Sequence, residues 1–139
     1  MMAQDFIHDA VRNAILKDGW TITDDPLKLV FEELRLFADL GAERTLAAMR
    51  GTEKIAVEIK SFRRRSSVDE FEDALGQYNV YRDVLTEIEP ERQLFLAISK
   101  DIFSDFFQGK GIQFILRKQR ISLLIVDVES EEILEWIKR

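Results

Sequence analysis

The most constraining feature of this chain is a short segment of strict alternation, IAVEIK at positions 55–60. Successive side chains of a β-strand point to opposite faces of the sheet, so the three branched apolar residues are predicted to line one face. Glu58 and Lys60 then share the other face. On a solvent-exposed face of the sheet, these two residues would form an ordinary surface charge pair. On a buried face they would be candidates for a catalytic or metal-binding site, and this segment alone does not distinguish the two interpretations.

Apolar spacing and turn residues predict the other elements. Helices are predicted over 4–18, over 67–89 and, with a break near residues 109–111, over 101–117. Extended segments are predicted over 20–23, 34–40, 45–49, 54–61, 94–98, 121–128 and 132–138, the last with a short helix as the alternative. The turn 50–53 is expected to join two of them in a hairpin. This order predicts one α/β domain over residues 1–139, with a mixed central β-sheet flanked by helices.

Composition removes several kinds of chemistry. The chain has no cysteine and a single histidine, His8, which excludes disulfides, thiol nucleophiles, structural zinc sites and most histidine-dependent triads. We expect His8 to be a partly buried residue on the flank of the first helix. The net charge of -6 argues against a protein that coats nucleic acid by bulk attraction. No signal peptide or membrane span is visible, so a cytoplasmic location without membrane contact is expected.

One acidic residue upstream extends the charged pair into a recognisable pattern. Asp39 stands nineteen residues before Glu58, which gives the spacing D-x18-E-x-K. Two converging carboxylates suit Mg²⁺ or Mn²⁺, since these hard cations prefer oxygen ligands, and the main-chain carbonyl of Ile59 could add another. A lysine on the same face could orient a water molecule or meet charge developing on a phosphate.

The following helix carries Gln77 and Tyr81 at i and i+4, which places both side chains on one helical face. Gly76 beside them predicts a close approach of another group. Apart from this context, an exposed amide and a half-buried aromatic ring would explain the pair equally well. With Asp39, Glu58 and Lys60, the chain resembles the PD-(D/E)xK nuclease superfamily, in particular its members with a Q-x-x-x-Y motif. That resemblance implies a restriction-endonuclease-like core with these residues as the catalytic set.

A second resemblance covers nearly the whole chain. The stretches 5–11, 17–23, 39–43, 55–62 and 74–78 look like the XisH family of cyanobacterial proteins, which are named as controlling factors for excision of the fdxN element. The resemblance implies an endonuclease-like fold and a role in DNA recombination beside a site-specific recombinase, with a small XisI-type partner protein. It does not by itself imply hydrolase activity.

Two details depart from the superfamily pattern or compete with it. Ala38, and not proline, precedes Asp39. A regular hairpin around Gly51 pairs position 45 with position 58 and position 43 with position 60, so Glu43 competes with Asp39 as the first metal carboxylate. Related nucleases often place a metal-binding acid in the first helix, and Asp9 matches that place, with an exposed helix carboxylate as the plain alternative.

Three consecutive arginines, Arg63, Arg64 and Arg65, follow the charged strand and could contact DNA phosphates, although a solvated loop explains them as well. The leading hypothesis is therefore a magnesium-dependent DNA phosphodiesterase, for which a homodimer would allow both strands to be cut. The competing hypothesis is a non-catalytic regulatory or adaptor subunit that keeps the nuclease-like fold and binds a partner protein.

Overall fold

A computed structural model describes residues 3–36, 45–62 and 67–139. Its helices are α1 (Ala3–Lys17), α2 (Ser67–Ile88), α3 (Lys100–Asp105) and α4 (Lys110–Lys118). Its strands are β1 (Thr21–Asp24), β2 (Leu29–Phe31), β3 (Leu34–Leu36), β4 (Thr45–Arg50), β5 (Glu53–Ile59), β6 (Arg92–Ser99), β7 (Leu123–Asp127) and β8 (Glu132–Ile137). The mixed α/β class expected from the sequence is confirmed.

Six of the strands form one twisted sheet in the order β1-β4-β5-β6-β7-β8. The hairpin β4–β5 is antiparallel, β5, β6 and β7 run parallel to one another, and β8 returns antiparallel to β7. In the hairpin Thr45 lies opposite Glu58, as the turn arithmetic predicts. The last segment is a strand and not a helix. The central strand β5 therefore has an antiparallel neighbour on one side and a parallel neighbour on the other.

The sheet buries both of its faces, each under its own helices. Helix α1 covers the face that carries the branched residues of β5, and these share one apolar cluster with Val11 and Ile15. Helix α2 covers the other face, where Ala56 shares a cluster with Phe71 and Tyr78. We call this second side the α2 face. The alternation along 55–60 thus separates the two layers of core, as predicted.

One strand pair lies apart from the main sheet. Only residues 34–36 of the predicted extended segment 34–40 are described, and they form strand β3 as expected. β3 pairs with β2, a strand that the pattern did not predict. Glu32, in the turn between the two strands, has a φ of 53°. Glutamate seldom adopts this left-handed conformation, so its presence in the sequence did not indicate a turn.

The single histidine lies in a small buried charge cluster between α1 and the segment after β1. His8 is 8% exposed, and its Nε2 lies 2.9 Å from Oδ1 of Asp25. The guanidinium of Arg12 donates to the other carboxylate oxygen at 2.7 Å. The expectation of a partly buried histidine on the helix flank is confirmed, with a carboxylate partner that ties α1 to the β1–β2 connection.

Replacing Asp25 with alanine should lower the free energy of unfolding by about 1–3 kcal/mol, because it leaves the imidazole of His8 and the guanidinium of Arg12 without their shared carboxylate partner. Asp24→Ala is the matched control, since Asp24 is exposed and, among the described residues, its side chain accepts a hydrogen bond from the neighbouring Thr23 alone. Equilibrium urea unfolding measures both. Equal effects of the two substitutions would show that the Asp25 cluster contributes nothing of its own.

Candidate functional site

Glu58 is a carboxylate buried in the middle of the sheet. It lies between Thr45 on β4 and Leu96 on β6, and only 2% of the residue is exposed. By alternation it faces the same side as Ala56, which packs in the cluster beneath α2. Glutamate is rarely buried to this extent unless a partner or a function requires it. The solvated charge pair that the sequence left open is therefore excluded for Glu58.

Lys60 comes directly after β5, yet its main chain still follows the sheet, because its N–H donates to the carbonyl of Ala97 on β6 at 3.1 Å. Two residues of extended chain separate its Cα from that of Glu58 by about 7 Å, with both side chains directed to the α2 face. Lys60 is half-buried. Glu58 and Lys60 therefore lie two residues apart at the carboxyl end of a strand that runs parallel to β6, where α/β sheets commonly bind ligands.

The main chain adopts an unusual conformation two residues after Lys60. Phe62 has a φ of 55°, a left-handed conformation that a bulky residue seldom adopts. Its ring packs against Phe106 and, edge-on at 5.3 Å between centroids, against Phe107. This aromatic packing supports the left-handed conformation of Phe62, two residues after Lys60.

Tyr78 connects the buried carboxylate electrostatically to helix α2. Its hydroxyl donates to the carbonyl of Leu94 at 3.0 Å and accepts from the N–H of Ser122 at 3.1 Å. Burial raises the pKa of Tyr78, the two interactions with Ser122 oppose this, and the negative charge of Glu58 adds a smaller upward contribution. Glu58 is thus close enough to Tyr78 of α2 to affect its pKa slightly.

Gln77 and Tyr81 meet on the flank of α2, as predicted from their spacing. Together with Arg35 and Leu36 of β3 they line a groove of about 580 Å³. Gln77 is exposed, whereas Tyr81 is partly buried against the core of the α2 face. Among the described residues that line this groove, neither Glu58 nor Lys60 occurs. Gly76 also opens into it, and a Cβ built there meets no described atom within 4 Å, so the close approach expected at Gly76 is not found.

The remaining predicted site residues fall into two groups. Asp39, Glu43, Arg63, Arg64 and Arg65 lie outside the described residues, and their roles stay predictions. Asp9 is described: it lies on α1, which covers the opposite face of the sheet from Glu58, and its carboxylate is 54% exposed and 3.5 Å from Nδ1 of His8. Within residues 3–36, 45–62 and 67–139, no three His, Cys, Asp or Glu side chains cluster as a metal site would require.

A charged pair that the sequence reasoning missed lies at the same edge of the sheet. Lys100 follows β6, Asp127 ends β7, and their side chains approach to 3.2 Å. Burial opposes ionisation of Asp127, but hydrogen bonds from Lys100 and Ser130 outweigh it and lower the pKa of the carboxyl. The same hydrogen bond raises the pKa of Lys100. Polar residues directly after two apolar strands were the signal that could have indicated this pair.

Comparisons with known proteins assign the family. The sequence model of the XisH protein family matches residues 1–134. The chain belongs to the XisH family. It is 41% identical to an XisH family protein from Nostoc punctiforme PCC 73102 of known crystal structure; the match covers 96% of this chain and 100% of that one, with a TM-score of 0.89.

A second crystal structure, of a fdxN element excision controlling factor protein from Anabaena variabilis, is 40% identical to this XisH chain. That match covers 96% of this chain and 99% of the other, again with a TM-score of 0.89. No curated protein matches the sequence. In the described part of this XisH protein, no helix is both long and apolar enough to pass through a membrane.

Proposed function

We propose that this XisH protein acts in the programmed excision of a DNA element as a metal-dependent DNA phosphodiesterase. The observation that carries the proposal is the buried carboxylate of Glu58, 2% exposed on a central strand, with Lys60 two residues away on the same face. Support for the excision role comes from the 40% identical relative named as a fdxN element excision controlling factor. The core is proposed to be of the restriction-endonuclease-like kind.

The donor atoms suit a hard divalent cation. The carboxylate of Glu58 and the carbonyl of Ile59 both present oxygen, which Mg²⁺ and Mn²⁺ prefer. A buried carboxylate is also more stable when a cation neutralises it. A further carboxylate is needed, and Asp39, with Glu43 as its competitor, is proposed for that place. Asp9, which the sequence suggested as a metal ligand, is left out of this set, because helix α1 carries it on the opposite face of the sheet from Glu58. When bound, such a cation supplies Lewis acidity toward a phosphodiester and toward water.

The protein residues have distinct proposed roles around that centre. Lys60, held at the end of the strand by its main-chain bond to Ala97, meets the negative charge that develops on the phosphate and orients the attacking water. Gln77 and Tyr81 position the substrate or Lys60 from helix α2. Arg63, Arg64 and Arg65 contact backbone phosphates of the DNA, which fixes the position of the duplex without reading its sequence.

The proposed partners follow from the size of the chain and from the family. A chain of 139 residues has one such centre, so concerted cutting of two strands requires a second copy related by two-fold symmetry. A site-specific recombinase would join the ends, and a small XisI-type protein is the proposed regulatory partner.

The test is incubation of the purified protein with single- and double-stranded DNA and either Mg²⁺ or Mn²⁺. Lys60→Ala should reduce cleavage by about 10²–10³-fold, the loss expected when one group that stabilises the developing charge is removed. Lys54→Ala is the matched control, because Lys54 lies near the start of β5, six residues before Lys60 and on the same side by alternation, and pairs with Glu91 at 3.6 Å. Cutting that both variants retain in full would remove Lys60 from the mechanism.

The acidic net charge of -6 favours a second candidate function, an adaptor that keeps the fold and binds a protein partner without cutting DNA. Such an adaptor would show no cleavage with either metal and would still co-purify with its partner after Glu58→Ala and Lys60→Ala. Cleavage that depends on both residues excludes it.

A further inference from the structure

The end of the molecule opposite the candidate catalytic residues holds a larger, strongly basic cavity. It has a volume of about 850 Å³ and lies between the second half of α2, the start of β6 and the end of α4. Arg92, in its wall, is aligned with Lys54 in the β5–β6 pair. Glu58 lies four residues further along β5, and Lys60, just after the strand, lies six residues further, which corresponds to about 13 and 20 Å of extended chain. The basic cavity is therefore separate from the Glu58 site.

Cations dominate the ionisable groups of this cavity. Its lining contains one carboxylate, Glu91, and five cations: Arg82, Arg92, Lys118, Arg120 and Arg139. Two of the six are already paired outside this set, since Arg92 binds Glu89 at 3.0 Å and Glu91 binds Lys54 at 3.6 Å. Four positively charged side chains therefore remain in a chain whose net charge is -6.

The four remaining cations are Arg82, Lys118, Arg120 and Arg139. Within the described residues, Arg82 and Arg139 form hydrogen bonds to neutral groups, and the side chains of the other two have no hydrogen-bond or ion-pair partner. Arg82 donates to the main-chain carbonyls of Gln119 and Arg120 at 2.7 and 2.8 Å and also to the side chain of Asn79. Arg139 donates to the carbonyl of Ile121 at 2.8 Å. These bonds hold the two guanidinium groups in place without neutralising their charge, and a preorganised guanidinium loses less freedom when it binds an anion.

The direction of the pKa shift of Arg139 agrees with an excess of positive charge around the cavity. Burial lowers the pKa of Arg139, and the positive charge of the nearby Arg117 lowers it further. An anion in the cavity would relieve this repulsion. The neutral groups around the cations, including the hydroxyl of Ser122 and the amide of Gln93, are hydrogen-bond formers of the kind that accompany phosphate contacts.

We propose that this basic cavity binds phosphate groups, carried either by a nucleic-acid strand or by a free nucleotide. Phosphate presents several acceptor oxygens and a concentrated negative charge, which matches a set of convergent guanidinium and ammonium groups. The volume exceeds that of a single phosphate and accommodates a nucleotide or adjacent phosphates of a strand. Binding here does not depend on the Glu58 site, so either proposal can fail while the other stands.

The test is the double substitution Lys118→Ala with Arg120→Asn. Both residues are exposed, neither has a side-chain partner in the described chain, and asparagine tolerates the φ of 55° at position 120. The matched control is Lys28→Ala with Lys110→Ala, which removes the same charge from two exposed lysines that do not line the cavity. Calorimetric titration without divalent cations uses three ligands: inorganic phosphate, ATP and a short thymidine oligonucleotide.

The cavity variant should bind the preferred ligand about tenfold more weakly or worse, because two charge-assisted contacts are lost, while the control stays within about twofold. If the oligonucleotide is the ligand, the salt dependence of its binding should also fall by about 1.4 in slope. Tighter binding of the oligonucleotide identifies a nucleic-acid strand as the source, and equal or tighter binding of ATP identifies a nucleotide. Absence of binding of all three, or equal losses in cavity and control variants, overturns the proposal.

Discussion

Glu58→Gln is expected to lower DNA cleavage by about 10³-fold or more while the fold is retained. The substitution keeps the size and shape of a side chain that is 2% exposed, and it removes only the negative charge. An amide does not replace a carboxylate as a ligand for a hard cation. The loss should therefore appear in cleavage and in metal binding, and only weakly in folding.

Thermal unfolding gives a measurement that does not depend on activity. An ion that binds only the folded state stabilises it by mass action, by about 2.7 kcal/mol at a hundredfold excess over its dissociation constant. Mn²⁺ should raise the Tm of the parent protein and leave the Tm of Glu58→Gln unchanged. The control is Glu53→Gln, on the same strand but exposed, which should keep both the cleavage and the shift.

Two results would contradict this account of Glu58. Normal cleavage by Glu58→Gln would mean that the buried carboxylate takes no part in the reaction. If the parent and Glu58→Gln bind Mn²⁺ equally well, carboxylates other than Glu58 hold the metal. If neither the parent nor the variants cut DNA or bind metal, the adaptor function is favoured.

The part of the fold that could be predicted is the part in which local pattern and burial agree. The alternation along 55–60 separates branched residues from Glu58 and Lys60, and the sheet has a buried layer on each side that this alternation fits. The register of Thr45 opposite Glu58 followed from a glycine turn and simple counting. Gln77 and Tyr81 meet because residues four apart share a helical face.

Other features could not be predicted, because they depend on tertiary packing between segments that are distant in the sequence. The small sheet of β2 and β3 consists of strands of three residues each, too short for a recognisable alternation. Glu58 is buried on the face of the sheet that α2 covers. Because α2 is a separate segment of the sequence, the pattern of β5 alone does not show this burial. The basic cavity draws Arg82, Lys118 and Arg139 from three separate parts of the chain, so their convergence is visible only in the folded molecule.

The aromatic packing behind the candidate site predicts the largest change in stability. Phe107 is completely buried, and its ring makes edge-on contacts with Phe62, Phe71 and Phe106 at centroid distances of 5.3, 5.7 and 5.7 Å. Phe107→Ala should lower the free energy of unfolding by about 3–5 kcal/mol, since it removes this packing and leaves a cavity. For a domain of this size the Tm should fall by roughly 10 °C or more.

Phe114→Ala is the matched control, because Phe114 lies on the neighbouring helix α4 and is 58% exposed. It should change the free energy of unfolding by no more than about 0.5 kcal/mol. Urea unfolding compares the two, and equal losses would contradict a core role for Phe107. Since Phe107 also supports the left-handed turn at Phe62, two residues after Lys60, the folded fraction of Phe107→Ala should in addition cleave DNA more slowly than Phe114→Ala. A specific activity equal to that of the control would show that Lys60 keeps its position without this support.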